Sequence, residues 1–321
     1  MGPLNHFQWK IYCLDCLARN SKEIWRLRVN KVLFTGGKSF IARSAVEQLN
    51  EIYDITCLGR RELDLLDTKK VFQYIKNNQF DAVIHTATYD AAPEFSIRDP
   101  KLVLENNLKM FFNVARCKDY FGKMIYLGTG AEFGRENWIP KMSEEYYDEY
   151  VPTDQYGLSK YVMTQHALAS KNIFNLRLFG LFGKYDDWRY RFIPNACCKA
   201  ALDLPLVIKQ NARFDYLYID DLIKVVEWFI TNEPKYKDYN VCSGRVYDYI
   251  TLANKILDIS SKNLDIVIKK NGLRDEYSGD NTRLKQEMNN LSFTDMDEAI
   301  KKMYCWYNEN KKLIKKELFV Y

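Results

Sequence analysis

From residue 31 onward, short apolar runs alternate with stretches of helical periodicity. KVLFTGG reads as a strand ending in glycine, and SFIARSAVEQLN as the helix that follows it. DITCLG is a second strand, followed by a helix near 68–77. DAVIHTA is a third, followed by a long helix over 98–117. KMIYLGTG is a fourth, followed by a helix over 155–171, and FNLRLFG is a fifth. Strands that are apolar throughout and alternate with helices predict a parallel sheet covered on both faces. Beyond about residue 184 the pattern loosens. It gives a helix near 191–203, separate strands at LPLVI and DYLYI, a helix over 220–232 and a further strand at YNVCSG. Residues 249–320 then give two or three helices and a short strand near 265–268. Residues 1–30 lack a strand signal and read as an extension holding one or two short helices.

Composition narrows the class. The 321 residues are 47% hydrophobic and 28% charged, within the globular range, and are enough for one large α/β domain or two smaller ones. The net charge of +5 is spread along the chain, apart from a lysine-rich C-terminal helix, and suits an anionic small ligand better than a nucleic acid. No apolar run approaches the roughly 18 residues of a membrane span, and the N-terminus lacks the order of a signal peptide. Eight scattered cysteines fit reduced thiols in a cytoplasm. Cys13 and Cys16 form a lone C-x-x-C with only His6 nearby, so they read as buried thiols and no metal site is expected.

The first strand-to-helix junction, TGGKSFIA, places Gly36, Gly37, Lys38, Ser39, Phe40 and Ile41 where a dinucleotide pyrophosphate would meet a helix N-terminus. Ser39 and Ala42 stand where later glycines are expected, and a plain strand-to-helix turn is the alternative. After the second strand, CLGRRELDLLD carries Arg60 and Arg61 where an NAD-binding unit has an acidic residue. Two guanidinium groups suit a 2′-phosphate, with Lys38 adding charge, so NADP is expected over NAD. A solvated basic turn is the alternative. The expected architecture is α/β: a Rossmann-type doubly wound sheet over 31–184, to which 215–243 returns, and a smaller α+β substrate lobe of 185–214 and 244–321.

Tyr156 and Lys160 share one face of the helix in DQYGLSKYVMTQ. A nearby ammonium favours the phenolate, which predicts a lowered Tyr156 pKa and a proton donor or acceptor near neutral pH. Tyr-x-x-x-Lys arises often by chance. Here it follows Thr129 by 27 residues and the glycine turn by about 120.

The ordered motifs together resemble the extended short-chain dehydrogenases/reductases, the epimerase/dehydratase group, over roughly residues 31–310. TGGKSFIA, DAVIHTAT, NNLKMFFNV, IYLGTGAEFG, YGLSK, LRLFGLFG, DYLYIDDL and YNVCSG each match one of that family's motifs in order. The nearest pattern is that of GDP-fucose synthase-like 4-keto-sugar reductases, which share the connection in RRELDLLD. The resemblance implies Thr129 as the hydroxyl that holds the substrate oxygen, Tyr156 as general acid/base, and Lys160 on the nicotinamide ribose. It also implies Asp64, Thr86, Ala87 and Asn107 as cofactor contacts.

The departures narrow the reaction. The family's 4,6-dehydratases carry Asp-Glu after the threonine, whereas Gly130 and Ala131 follow here, and Glu132 is expected to point elsewhere from an extended segment. The Cys and His of double epimerisation correspond to Ala131 and Arg191, and an arginine is a poor proton shuttle. Arg191, Arg213 and Arg274 are the expected substrate contacts, with Phe214 where the family often has arginine. The resemblance therefore implies an NADPH-dependent reductase of a keto group, at C4, of a nucleoside-diphosphate sugar, in deoxysugar or surface-polysaccharide synthesis. A 4-epimerase with tightly held cofactor and a non-enzymatic dinucleotide sensor are the alternatives. It also implies a cytoplasmic homodimer joined through the helices near 98–117 and 155–171.

Overall fold

The computed structural model describes residues 31–91 and 96–320. The 1–30 extension, with Cys13, Cys16 and His6, lies outside them. A six-stranded parallel sheet runs in the order β2-β1-β3-β4-β5-β8. Its strands are β1 Lys31–Thr35, β2 Asp54–Leu58, β3 Ala82–His85, β4 Lys123–Thr129, β5 Ile173–Leu178 and β8 Asp238–Val241. β3, β4 and β5 are buried on both faces almost throughout, which their unbroken apolar runs require. The helices between them are α1 Phe40–Leu49, α2 Thr68–Asn78, α3 Val103–Ala115, α4 Gln155–Leu168, α5 Phe192–Ala201 and α6 Ile219–Thr231. One hydrophobic core joins β1, α1 and α6 to the C-terminal helices. A second fills the opposite face, with Val71, Ile75, Phe111 and Met163 packed on the sheet. The strand order reverses between β1 and β3, and such a switch point opens a ligand crevice at the carboxyl ends of the strands.

The second sheet, β10-β7-β6, with β9 paired to β7, stands over that end. Here the structure departs from the sequence pattern. The two strands expected at LPLVI and DYLYI are one, β7 Leu206–Tyr218, and the short strand near 265–268 extends to β10 Ile266–Tyr277. Lys209, Arg213, Lys269, Lys270 and Arg274 read as loop because one face of β7 is open to solvent and β10, at the sheet edge, is exposed over most of its length, so polar residues belong in both strands. The pairing of β10 with β7 also slips twice, between Lys270 and Leu273 and between Arg274 and Tyr277, with Gly272 at φ +95. β6 Gly180–Phe182 and β9 Val246–Asp248 complete the layer. α7 Tyr249–Ser260, α8 Thr282–Glu287 and α9 Met296–Glu309 complete the lobe.

Elsewhere the differences are local. The helix expected over 98–117 is a 3-10 turn, Pro100–Leu102, followed by α3. The six cysteines described are free thiols. Among the described residues, no helix is long and apolar enough to cross a membrane.

Candidate active site

The junction between β1 and α1 is built for close approach. Gly36 has φ +69, and a Cβ there would lie 2.8 Å from the Ala87 Cα. Gly37 is pressed as tightly against the backbone of Cys57 and Leu58, and its N–H donates to the Leu58 carbonyl at 2.8 Å. Ser39 caps α1, its hydroxyl accepting from the Ala42 N–H at 3.2 Å and lying 2.9 Å from the Thr86 hydroxyl. Thr86 in turn donates to the Thr35 carbonyl at 2.6 Å. The turn is thus tied to the ends of β2 and β3. A dinucleotide pyrophosphate fits such a helix start without a side chain in its way.

Beside it, Lys38, Arg60 and Arg61 are exposed at the end of β2. Arg60 pairs with Asp64 at 3.1 Å, and the other Asp64 oxygen accepts from the Leu66 N–H, so Asp64 shapes this turn. Asn107 is buried, with its amide oxygen accepting from the Tyr89 N–H at 2.7 Å and its NH2 donating to the Tyr89 carbonyl at 2.9 Å. Both ends of that side chain hold the segment that carries Thr88 and Asp90 into the cleft.

The catalytic candidates meet through a second tight junction. β4 ends at Thr129, whose hydroxyl accepts from the Ala131 N–H at 3.3 Å and caps a 3-10 turn, Gly130–Phe133. Asp154 caps α4 by accepting from the Gly157 N–H at 2.8 Å. A Cβ at Gly157 would sit 2.8 Å from the Ala131 carbonyl. The absence of a side chain there lets the start of α4, with Tyr156, press on the turn that carries Thr129.

Glu132 leaves this turn away from the cleft and is fully buried; the segment is a 3-10 turn and not the extended stretch expected. It accepts from the Thr164 hydroxyl at 2.8 Å and the Asn175 amide at 3.1 Å, and it pairs with Arg177. Arg177 also donates to Asp238 at 2.9 Å and to Asn240 at 3.0 Å. Burial opposes the Arg177 charge, but the two carboxylates more than offset it and hold the guanidinium protonated. This ion cluster ties the Thr129 turn to β5 and β8.

Lys160 is buried, donates to the Leu127 carbonyl at 3.4 Å, and lies 5.7 Å from the centre of the Tyr156 ring. Burial lowers its pKa to about 8. The lowered Tyr156 pKa expected from this lysine is not found. Burial raises it, with Asp90 and Tyr277 adding to the rise, while Arg191 and Arg135 oppose it. Tyr277, at the end of β10, places its hydroxyl 3.2 Å from the Thr129 Oγ1, and its ring stacks on Trp138 at 4.1 Å between centroids.

Thr129, Tyr156, Lys160 and Tyr277 face one cleft of about 1340 Å³. Phe40, Ile41 and Thr86 line it from the nucleotide side, Thr129, Tyr156 and Lys160 from the middle, and Arg191, Tyr216, Arg274 and Tyr277 from the second lobe. Its volume exceeds the roughly 300–1,000 Å³ of an ordinary small-molecule pocket, which leaves room for two ligands end to end. Gly36, Gly37, Lys38, Ser39, Arg60, Arg61 and Ala87 surround its nucleotide end without lining the enclosed part. Arg213 lies exposed on β7 and is not among the lining residues. Asp90, Arg135, Trp138, Asp186 and Tyr277 also line the cleft and were not legible as site residues. They lie in loops or at strand ends without periodicity, and only Asp90, just past the DAVIHTA strand, had a positional signal.

Residues 32–242 match the model of the NAD dependent epimerase/dehydratase family. Among curated proteins, the chain is 23% identical to the GDP-L-colitose synthase of Yersinia pseudotuberculosis, over 88% of this chain and 99% of that one. It is 21% identical to the ADP-L-glycero-D-manno-heptose-6-epimerase of Brachyspira hyodysenteriae, over 77% and 86%. Among solved structures it resembles the GDP-mannoheptose C4 reductase of Campylobacter jejuni with NADP bound. The TM-score is 0.75 at 19% identity, covering 87% of this chain and 98% of that one.

Proposed function

Because this chain belongs to the NAD dependent epimerase/dehydratase family, we propose that it is an NADPH-dependent reductase of a nucleoside-diphosphate sugar, acting on a keto group at C4. The observation that carries this reading is that Thr129, Tyr156 and Lys160 line one cleft with Phe40, Ile41 and Thr86 of the nucleotide end. A bound nicotinamide supplies the hydride that reaches the carbonyl carbon. Tyr156 gives its proton to the carbonyl oxygen, and Thr129 donates a hydrogen bond to that oxygen as charge develops on it. Arg191 and Arg135 then stabilise the phenolate left behind.

Dehydration has no support, since Gly130 and Ala131 offer no acid and Glu132 is committed to Arg177. Lys38 and Arg61 form no ion pair among the described residues and are open to a 2′-phosphate, which favours NADP. The name of the C4 reductase agrees with reduction at C4, and both it and the colitose synthase are named for GDP-linked sugars. We further infer a cytoplasmic homodimer joined through α3 and α4, supported by the half-buried Leu104 and Leu158, which pack in no core cluster, and by Leu168, 37% exposed.

The test incubates the protein with NADPH and a panel of nucleotide-linked 4-keto sugars, following NADPH absorbance and product mass. Tyr156→Phe is expected to slow turnover by about 10²–10⁴-fold while leaving NADP binding nearly intact. Near-normal turnover in that variant would sink the mechanism. Stoichiometric nicotinamide in the purified protein, with no NADPH consumed, would show an epimerase instead.

A further inference from the structure

We propose that Asp186 is a sugar-recognition residue, whose carboxylate accepts a hydrogen bond from a hydroxyl of the sugar in the cleft and so discriminates among nucleotide sugars. The class of ligand rests on the function proposed above. The residue itself is singled out by the geometry.

Asp186 lies on the segment between β6 and α5, lines the cleft, and is 7% exposed. One of its oxygens accepts from the Asp187 N–H at 2.8 Å. The other, Oδ2, is buried and accepts from no group among the described residues. The other buried acids behave differently. Glu132, Asp215, Asp221 and Asp238 each have both oxygens engaged by donors. Glu144 accepts from the Asn240 N–H with one oxygen and faces Arg283 with the other at 3.8 Å. Asp154 Oδ2, on the same cleft wall, also lacks a hydrogen-bond donor, but it pairs with Arg135 at 3.4 Å. A buried carboxylate oxygen with neither donor nor ion pair is costly, so Asp186 Oδ2 on the wall of a ligand cleft marks a place where the ligand brings the donor.

The surroundings define that donor. Asp186, Arg191 and Tyr156 line the same cleft. Burial raises the Asp186 pKa to about 6, opposed by Arg191, so the group is mainly an anion at neutral pH. An anion repels phosphate. The cations that suit a diphosphate, Lys270 and Arg274, line the cleft from β10. A neutral hydroxyl donor matches the Asp186 oxygen, and the sugar is the part of such a ligand richest in them.

Titration calorimetry tests this on the full-length protein, with sugar nucleotides carrying GDP, UDP and dTDP, each paired with the nucleoside diphosphate alone. The wild type is expected to bind at least one sugar nucleotide more tightly than its parent diphosphate. Asp186→Asn, and Asp186→Glu, which keeps the charge but displaces the oxygen, should each weaken that ligand by about tenfold. Affinity for the nucleoside diphosphate and for NADPH should stay within about twofold, with thermal midpoints near the wild type. The proposal is overturned if the wild type shows no preference for the sugar form, or if both variants keep it. It is equally overturned if the loss falls on the diphosphate or on NADPH, or if both variants fail to fold, which would make Asp186 structural. A wild type that binds sugar nucleotides without reducing any 4-keto sugar removes the reductase reading and leaves this inference standing.

Discussion

The hydroxyl of Tyr277 lies 3.2 Å from the Oγ1 of Thr129, joining the last residue of β10 to the last residue of β4. Tyr277 is buried, and burial pushes its pKa up to about 12 even though the Thr129 hydroxyl works the other way, so it is a neutral partner at physiological pH. It orients the threonine hydroxyl that the proposed reaction uses.

Tyr277→Phe should therefore lower kcat by about five- to tenfold with little change in the Kd for NADP, since one neutral hydrogen bond is lost and the ring still stacks on Trp138. Steady-state kinetics beside a dinucleotide titration checks this. An unchanged kcat would remove Tyr277 from the site.

The buried Lys160 ammonium makes a pH prediction with a definite sign. Burial lowers its pKa from 10.5 to about 8 in the folded protein, so between those values the unfolded chain holds more protons. Stability contributed by this group is lowest below pH 8 and rises as pH climbs toward 10.5. Lys160→Met should remove that dependence and raise the Tm near pH 7 by about 3–6 °C, while abolishing turnover. Calorimetric scans of both proteins from pH 7 to 10 would reveal it. A variant that melts lower than the wild type at pH 7 contradicts the argument.

Arg177→Met leaves Glu132 and Asp238 buried without their shared cation. Removing one partner of such a cluster costs about 3–5 kcal/mol, so the variant should unfold at much lower urea or fail to accumulate. Any folded fraction should also show reduced turnover, because the cluster holds the turn that carries Thr129.

Among the basic residues at the end of β2, Arg60 is paired with Asp64 whereas Arg61 forms no ion pair among the described residues. Arg61→Ala should weaken NADP binding by about tenfold at low salt and leave NAD unchanged, and the difference should shrink as salt is added. Equal affinity of the wild type for both dinucleotides would dismiss the NADP preference at once.

The parallel sheet was legible because buried strands between amphipathic helices leave a strong periodic signal, and the motifs around Gly36, Thr129 and Tyr156 fall at its strand ends. The second sheet was not. β7 exposes one face and β10 nearly all of its length, so Lys209, Arg213 and Lys270 interrupt the apolar pattern that would have marked them. The charge environment of Tyr156 was misread for a related reason. Sequence spacing places Lys160 beside it, but burial and the arginines reaching in from other segments depend on long-range packing. Asp186 and Tyr277 share that origin, as both enter the cleft from the second lobe.

The two slips in the pairing of β10 with β7 fall on either side of Arg274 and just before Tyr277. Because side chains alternate along a strand, adding or deleting one residue between Gly272 and Tyr277 would turn the tyrosine to the opposite face of the sheet. Tolerance to insertion along this polar, solvent-facing strand should therefore be sharply uneven: permissive at its start, near Ile266, which does not line the cleft, and forbidding towards its end, where length alone decides whether Thr129 keeps its partner.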